Sequence, residues 1–153
     1  ESKRLLRALV SGLSEAGLPA SAIKLELTER ALLDSDLPRR RINELRQLGH
    51  AVAIDDFGTG YSSLSYLESF ELDILKIDKA FVDTIESHAV SSSVIGHVIE
   101  MAKSLQLDIV AEGIESQHQA AWLAAQGVRF GQGYHFSRPL AAEDFSHWLQ
   151  SQA

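Results

Sequence analysis

The chemistry of this chain gathers at five places: Glu26 and Glu29 in LELTE, Asp55 and Asp56 in AIDDFGTG, Lys76 and Asp78 in LKID, Glu112 and Glu115 in VAEGIE, and Gln132 in FGQGY. Carboxylates held close together cannot all stay ionised without a cation, because like charges raise one another's pKa. Such a set asks for a hard divalent ion, magnesium or manganese, bound through oxygen. Zinc would bring histidine or cysteine, but cysteine is absent and the six histidines, His50, His88, His97, His118, His135 and His147, form no H-x-x-x-H pair. Period-two alternation sends Asp55 and Asp56 in different directions, so that the pair could serve two ions. Two metals about 4 Å apart suit phosphodiester hydrolysis, where they activate water and neutralise charge on the attacking and leaving oxygens. Lys76, amid these acids, could steer that water or accept its proton, although negative surroundings raise a lysine pKa.

The elements that must carry these residues alternate between two periods. KRLLRALVSGLSEAGLP sets Leu5, Leu6, Leu9, Val10 and Leu13 at helical spacing and stops at Gly17 and Pro19. IKLELTE reads as a strand, and LPRRRINELRQLG as a helix through Ile42, Leu45 and Leu48. The rhythm continues with strand AVAIDD, short helix SSLSYLESF, strand LDILKID, long helix VSSSVIGHVIEMAKSLQ and strand LDIVAEGIE. Helix QHQAAWLAAQ, capped by Ser116 and ended by Gly127, precedes a last strand, VRFGQGYHF, and a closing helix, AAEDFSHWLQ. Strands alternating with helices predict a parallel sheet. No G-x-G-x-x-G and no Walker A loop supports an open nucleotide-binding sheet. The expected fold is therefore α/β, a partial TIM-type (β/α) barrel with about five parallel strands and outer helices. Its C-terminal strand ends collect the polar residues on one rim.

Simpler roles compete for some positions. A carboxylate after a strand often caps the next helix, the reading for Asp36 ahead of Pro38. For Asp55 and Asp56 the following helix starts nearer Ser62 or Ser63, which leaves the acids for function. Glu29 and Glu115 stand one step beyond better-placed acids and could simply brace loops. A buried lysine without a partner is expensive, so Lys76 points to a functional or ion-paired group. Phe57, Tyr61, Tyr134 and Phe136 could stack a base, but aromatics beside strand ends usually join the core. Arg39 to Arg41 suit the solvated start of a helix. Gly58 and Gly60 allow a tight turn and, beside the acids, suggest a mobile active-site loop.

Composition narrows the rest. A chain of 153 residues fits one domain with a real core but falls short of a complete barrel of about 250 residues. The formal net charge of −7 repels phosphate backbones and argues against duplex nucleic acid as a partner. Without cysteine there is no disulfide framework, and no run approaches the roughly 18 apolar residues of a membrane span. These features predict a cytoplasmic domain without direct membrane insertion.

The ordered set LELTE, AIDDFGTGYSSL, LKIDKAFV, VAEGIE and QGYHFSRPL closely resembles the EAL domain family, bacterial phosphodiesterases acting on cyclic di-GMP. DFG alone would suggest a protein kinase, but no H-R-D motif accompanies it. The resemblance implies a barrel rim with two Mg2+ or Mn2+ ions, and linearisation of cyclic di-GMP to pGpG by an activated water. By motif, Glu26, Asp55, Asp56 and Glu112 resemble the metal ligands, Lys76 the residue that orients or deprotonates the water, and Gln132 a member of the water or substrate network. Glu29 resembles the anchor of the loop from Asp56 to Ser63, which in relatives couples metal binding and dimerisation to activity. Glu115, and with it Asp78, has a supporting place. His135 stands where leucine or phenylalanine is more usual.

One departure matters. No Glu-Ala-Leu occurs in the sequence, nor the asparagine motif that follows it in the family. Residues 1–153 therefore resemble the C-terminal part of a single, incomplete EAL domain. An incomplete barrel exposes sheet edges and apolar faces, which leads one to expect a homodimer or another partner over the opening. Three functions fit in descending order. The first is phosphodiesterase activity of the parent domain, weak or lost in the fragment alone. The second is a noncatalytic module that binds cyclic di-GMP or a protein, and the third an enolase-like enzyme. EAL domains commonly end longer, membrane-attached sensor proteins, which would put this one at the cytosolic end.

Overall fold

Apolar residues at every second strand position and every third or fourth helix position have one efficient arrangement, a sheet with its helices packed on one face. The computed structural model describes residues 2–29, 31, 37–57, 70–86 and 92–152. Its elements are α1 (Ser2–Glu15), β1 (Lys24–Thr28), α2 (Leu37–Gln47), β2 (Ala51–Phe57), β3 (Ile74–Ile77) and a single turn, α3 (Lys79–Val82). After them come α4 (Ser92–Ser104), β4 (Asp108–Ala111), α5 (Gln117–Ala125), β5 (Phe130–Gly131) and α6 (Ala142–Ser151). The five strands form one sheet, all parallel, in the order β1-β2-β3-β4-β5. This is the partial TIM-type barrel expected.

Alternation divides the sheet into two faces up to the end of β2. Val52, Ile54, Leu75, Ile77, Ile109 and Ala111 are buried and pack with Ile42 of α2, Ile95, Ile99 and Ala102 of α4, and Leu123 of α5. Each large aliphatic side chain so buried contributes about 1.5–3 kcal/mol. The positions between them, Glu26, Ala53, Asp55, Ile74, Lys76 and Val110, belong to the opposite face. That second face is concave. Lys24 of β1 lies over the ring of Phe130 in β5, 5.6 Å from its centroid, although three strands separate them. Four flat inter-strand steps of about 4.8 Å would hold the edges roughly 19 Å apart, so the sheet must curl as a barrel wall does.

At the strand N-terminal ends, Arg46 of α2 clasps the entry to β3. Its Nε and Nη2 donate to the two Asp73 oxygens at 3.2 and 2.9 Å, and Nη1 donates to Glu71 at 2.6 Å. Asp73 Oδ2 also accepts the Val52 amide at 2.8 Å, which ties β2 to the same corner.

Three strands end earlier than alternation alone predicts. LDILKID forms β3 only to Ile77, because the Asp78 carboxylate accepts the Ala80 amide at 2.8 Å and starts α3, a turn with no amphipathic signature. LDIVAEGIE leaves the sheet after Ala111, where Gly113 turns the chain at φ +66°. VRFGQGYHF keeps only Phe130 and Gly131 as strand, since the chain folds back at Gly133 against Ile114. A Cβ at Gly133 would lie 2.1 Å from the Ile114 carbonyl oxygen. Ser116 caps α5 as expected and forms a full capping box with Gln119. The short helix SSLSYLESF up to Ser69, the caps at Asp36, Ser62 and Ser63, Tyr61, His88 and the glycine loop at 58–60 lie outside the described residues, while Phe70, the last residue of that segment, is buried and not helical.

Candidate active site

Lys76 is the centre of the concave face. It occupies the third position of β3, and its side chain is 9% exposed. Three carboxylates from three other strands converge on Nζ: Glu26 Oε2 from β1 at 2.7 Å, Asp55 Oδ1 from β2 at 2.9 Å, and Glu112 Oε1 just past β4 at 2.7 Å. Gln132, just past β5, donates from Nε2 to the same Glu112 oxygen at 2.7 Å. All five strands thus deliver one polar group each to one rim.

A bulge makes this possible in β2. Ile54 pairs with Leu75 and Phe57 with Ile77, so that β2 spends one residue more than β3 over the same interval. Ile54 and Phe57 both reach the core, which strict alternation would forbid for positions three apart. Asp56 absorbs the irregularity at φ +55°, a region aspartate tolerates better than most residues. It is exposed, whereas Asp55 is half-buried.

Burial alone would push the Lys76 pKa down, but its contacts with Glu112, Glu26 and Asp55 together outweigh burial and hold it well above the ordinary lysine value. In this arrangement Lys76 is an ammonium held among three carboxylates. Glu112 is raised chiefly by burial; the Lys76 contact pulls it back, while the charges of Asp55 and Glu26 add to the rise.

The donor chemistry fits a hard divalent cation, being all oxygen. Asp55 Oδ1, although 2.9 Å from Nζ, is buried without an aligned hydrogen bond, an acceptor still available to a metal. The same carboxylates nevertheless close on the ammonium, and among the described residues no three acidic or histidine side chains are grouped to hold an ion.

Other candidates have other surroundings. Glu29 is buried, 3% exposed, and the loop it was expected to anchor lies outside the described residues. Asp78 caps α3, the simpler of the roles open to a carboxylate after a strand. Glu115 Oε1 pairs with Lys79 Nζ at 2.9 Å, and Lys79 also reaches Asp83 at 2.9 Å. The sequence reading passed over Lys79, whose i,i+4 spacing to Asp83 was the available signal. Phe57 joins the core, while Tyr134 and Phe136 stay exposed, Tyr134 under the guanidinium of Arg138. Among the described residues no helix is long and apolar enough to cross a membrane.

A curled parallel sheet with helices outside and an acidic rim at its strand C-termini defines a (β/α)-barrel domain with its site in the usual place for that class. The EAL domain model matches residues 1–139, and the chain belongs to the EAL domain family. It is 51% identical over 128 residues to the probable cyclic di-GMP phosphodiesterase PdeB of Escherichia coli K12, a match covering 84% of this chain and 24% of PdeB. The PaMucR phosphodiesterase in complex with c-di-GMP superimposes with a TM-score of 0.85 at 34% identity, over 92% of this chain and 57% of that one. Klebsiella pneumoniae BlrP1, solved with manganese and cyclic di-GMP, gives a TM-score of 0.79 at 36% identity, over 88% of this chain and 34% of BlrP1. This chain therefore spans about a quarter of the length of its curated relative PdeB.

Proposed function

We propose that this chain is the C-terminal part of an EAL domain whose parent protein hydrolyses cyclic di-GMP to linear pGpG. The observation that carries the proposal is the convergence of Glu26, Asp55 and Glu112 on Lys76, in a family whose solved members include complexes with cyclic di-GMP and manganese. Glu26, Asp55, Asp56 and Glu112 would hold two divalent ions, Mg2+ or Mn2+, together with residues from elsewhere in the domain. When bound, such ions stabilise negative charge on a phosphate and activate water.

The chain's own residues do the positioning. Lys76, kept as an ammonium, donates hydrogen bonds that orient the water and compensate the carboxylates. Gln132 donates to the same Glu112 oxygen that Lys76 holds and keeps that carboxylate directed at Lys76. Glu29 anchors the loop that follows Asp56, and Glu115 supports the turn after β4. The concave face opens to solvent along β1, whose Lys24, Glu26 and Thr28 are exposed. A second copy or another protein segment covers that opening, and the domain works at the cytosolic end of a longer, membrane-attached sensor.

The test is turnover of cyclic di-GMP by the full-length protein with Mn2+, followed by chromatography of pGpG. Asp55→Asn and Lys76→Ala are each expected to lower kcat by about 100-fold or more, and unchanged turnover in either overturns the assignment of that residue. The second reading is a noncatalytic member of the same family that binds cyclic di-GMP. Calorimetric binding of cyclic di-GMP with no pGpG produced would favour that second reading.

A further inference from the structure

The turn that carries Glu112 away from β4 is covered by one side chain from α3. Lys76 and Lys79 leave the end of β3 three residues apart and grip the same neighbouring segment at two points. Lys76 Nζ holds Glu112 Oε1 at 2.7 Å, and Lys79 Nζ holds Glu115 Oε1 at 2.9 Å with Asp83 Oδ1 at 2.9 Å. Gly113 lies between the two grips with φ +66°. A Cβ there would lie 2.5 Å from both Cβ and Cγ of Lys79, so the aliphatic stem rests directly on bare glycine backbone. Farther along, Ser116 Oγ donates to Glu86, stitching the segments after β3 and β4 together a second time.

We propose that Lys79 is a positioning residue for the reaction, clamping the turn from Glu112 to Ser116 through its stem on Gly113 and its ammonium on Glu115. The clamp sets the direction of Glu112, which touches both Lys76 and Gln132. Lys79 is 44% exposed and Glu115 51%, so the pair adds little to overall stability. Its effect lies in placement, because a shift of about 1 Å at a reacting group can cost on the order of 100-fold in rate. Only the kinetic consequence rests on the phosphodiesterase reading.

The experiment compares Lys79→Ala, which loses stem and charge, Lys79→Met, which keeps the stem, and Lys79→Arg, which keeps both, in the full-length protein. Amide hydrogen exchange over residues 112–116 is expected to quicken in Lys79→Ala, less so in Lys79→Met, and to stay at the wild-type rate in Lys79→Arg. With cyclic di-GMP and Mn2+, kcat falls about tenfold in Lys79→Ala while KM changes by less than about twofold, and Lys79→Arg restores kcat. Wild-type exchange in Lys79→Ala overturns the clamp, as does a kinetic loss confined to KM or not rescued by arginine. No turnover by the wild-type protein would overturn the phosphodiesterase reading instead, and the exchange rates alone would then decide the clamp.

Discussion

Lys76 shows how a costly residue is made tolerable. Its ammonium is almost wholly removed from water, and three carboxylates from β1, β2 and the end of β4 supply the compensation. Removing one partner of a buried ion pair typically costs more than the pair itself contributes, because the remaining charges are left unmatched. Lys76→Met should therefore destabilise the protein by about 2–4 kcal/mol in urea unfolding at neutral pH without added metal. A loss below about 0.5 kcal/mol, the size of an ordinary surface change, would mean that the carboxylates do not depend on this cation. The residue types of this site were legible in the sequence, since a lysine inside ILKI has no comfortable place in a core. The upward direction of its pKa was legible too, from the acids expected around it. The three close contacts that cause it were not, because they come from residues distant in sequence.

At the scale of elements, each strand was recognisable from its alternation, but strand ends were set by neighbours. Asp78 stops β3 by capping α3, and Gly133 stops β5 because Ile114 lies against it. Where a local signal was complete, the element followed it. Ser116 caps α5 as expected, its Oγ accepting the Gln119 amide at 3.1 Å, and the Gln119 side chain completes a capping box. Ser116→Ala should lower stability by about 1 kcal/mol, read as a shift in the urea midpoint without change in slope. Ser116→Asp, which keeps an acceptor at the cap, should lose less, and equal losses would assign the effect to the Glu86 contact instead.

On the scale of the whole molecule, the five-stranded wall is curled but not closed. Among the described residues β1 pairs only with β2, and β5 only with β4. Near the β5 edge and on α6, Phe130, Phe136, Phe145 and Leu149 remain 40–54% exposed. Unpaired edges and apolar patches of this kind favour association. The 153-residue chain expressed by itself should sediment as a species larger than 16.8 kDa. Its turnover of cyclic di-GMP should be slower than that of the full-length protein by on the order of 100-fold, because residues 1–153 contain no Glu-Ala-Leu motif to complete the charge stabilisation expected of the family. Full activity from a verified monomer would overturn both expectations.

The sequence by itself determined the parallel α/β wall, the strand order of its polar residues and the EAL family, because alternation, helical spacing and five ordered motifs are local and were all present. Tertiary structure alone decided how the residues meet. The bulge at Asp55 and Asp56 lets Ile54 and Phe57 share the core, the curl brings Lys24 over Phe130, and Lys79 closes over Gly113. Each of these depends on the distance between strands that the sequence separates by tens of residues, and no local pattern encodes such a distance.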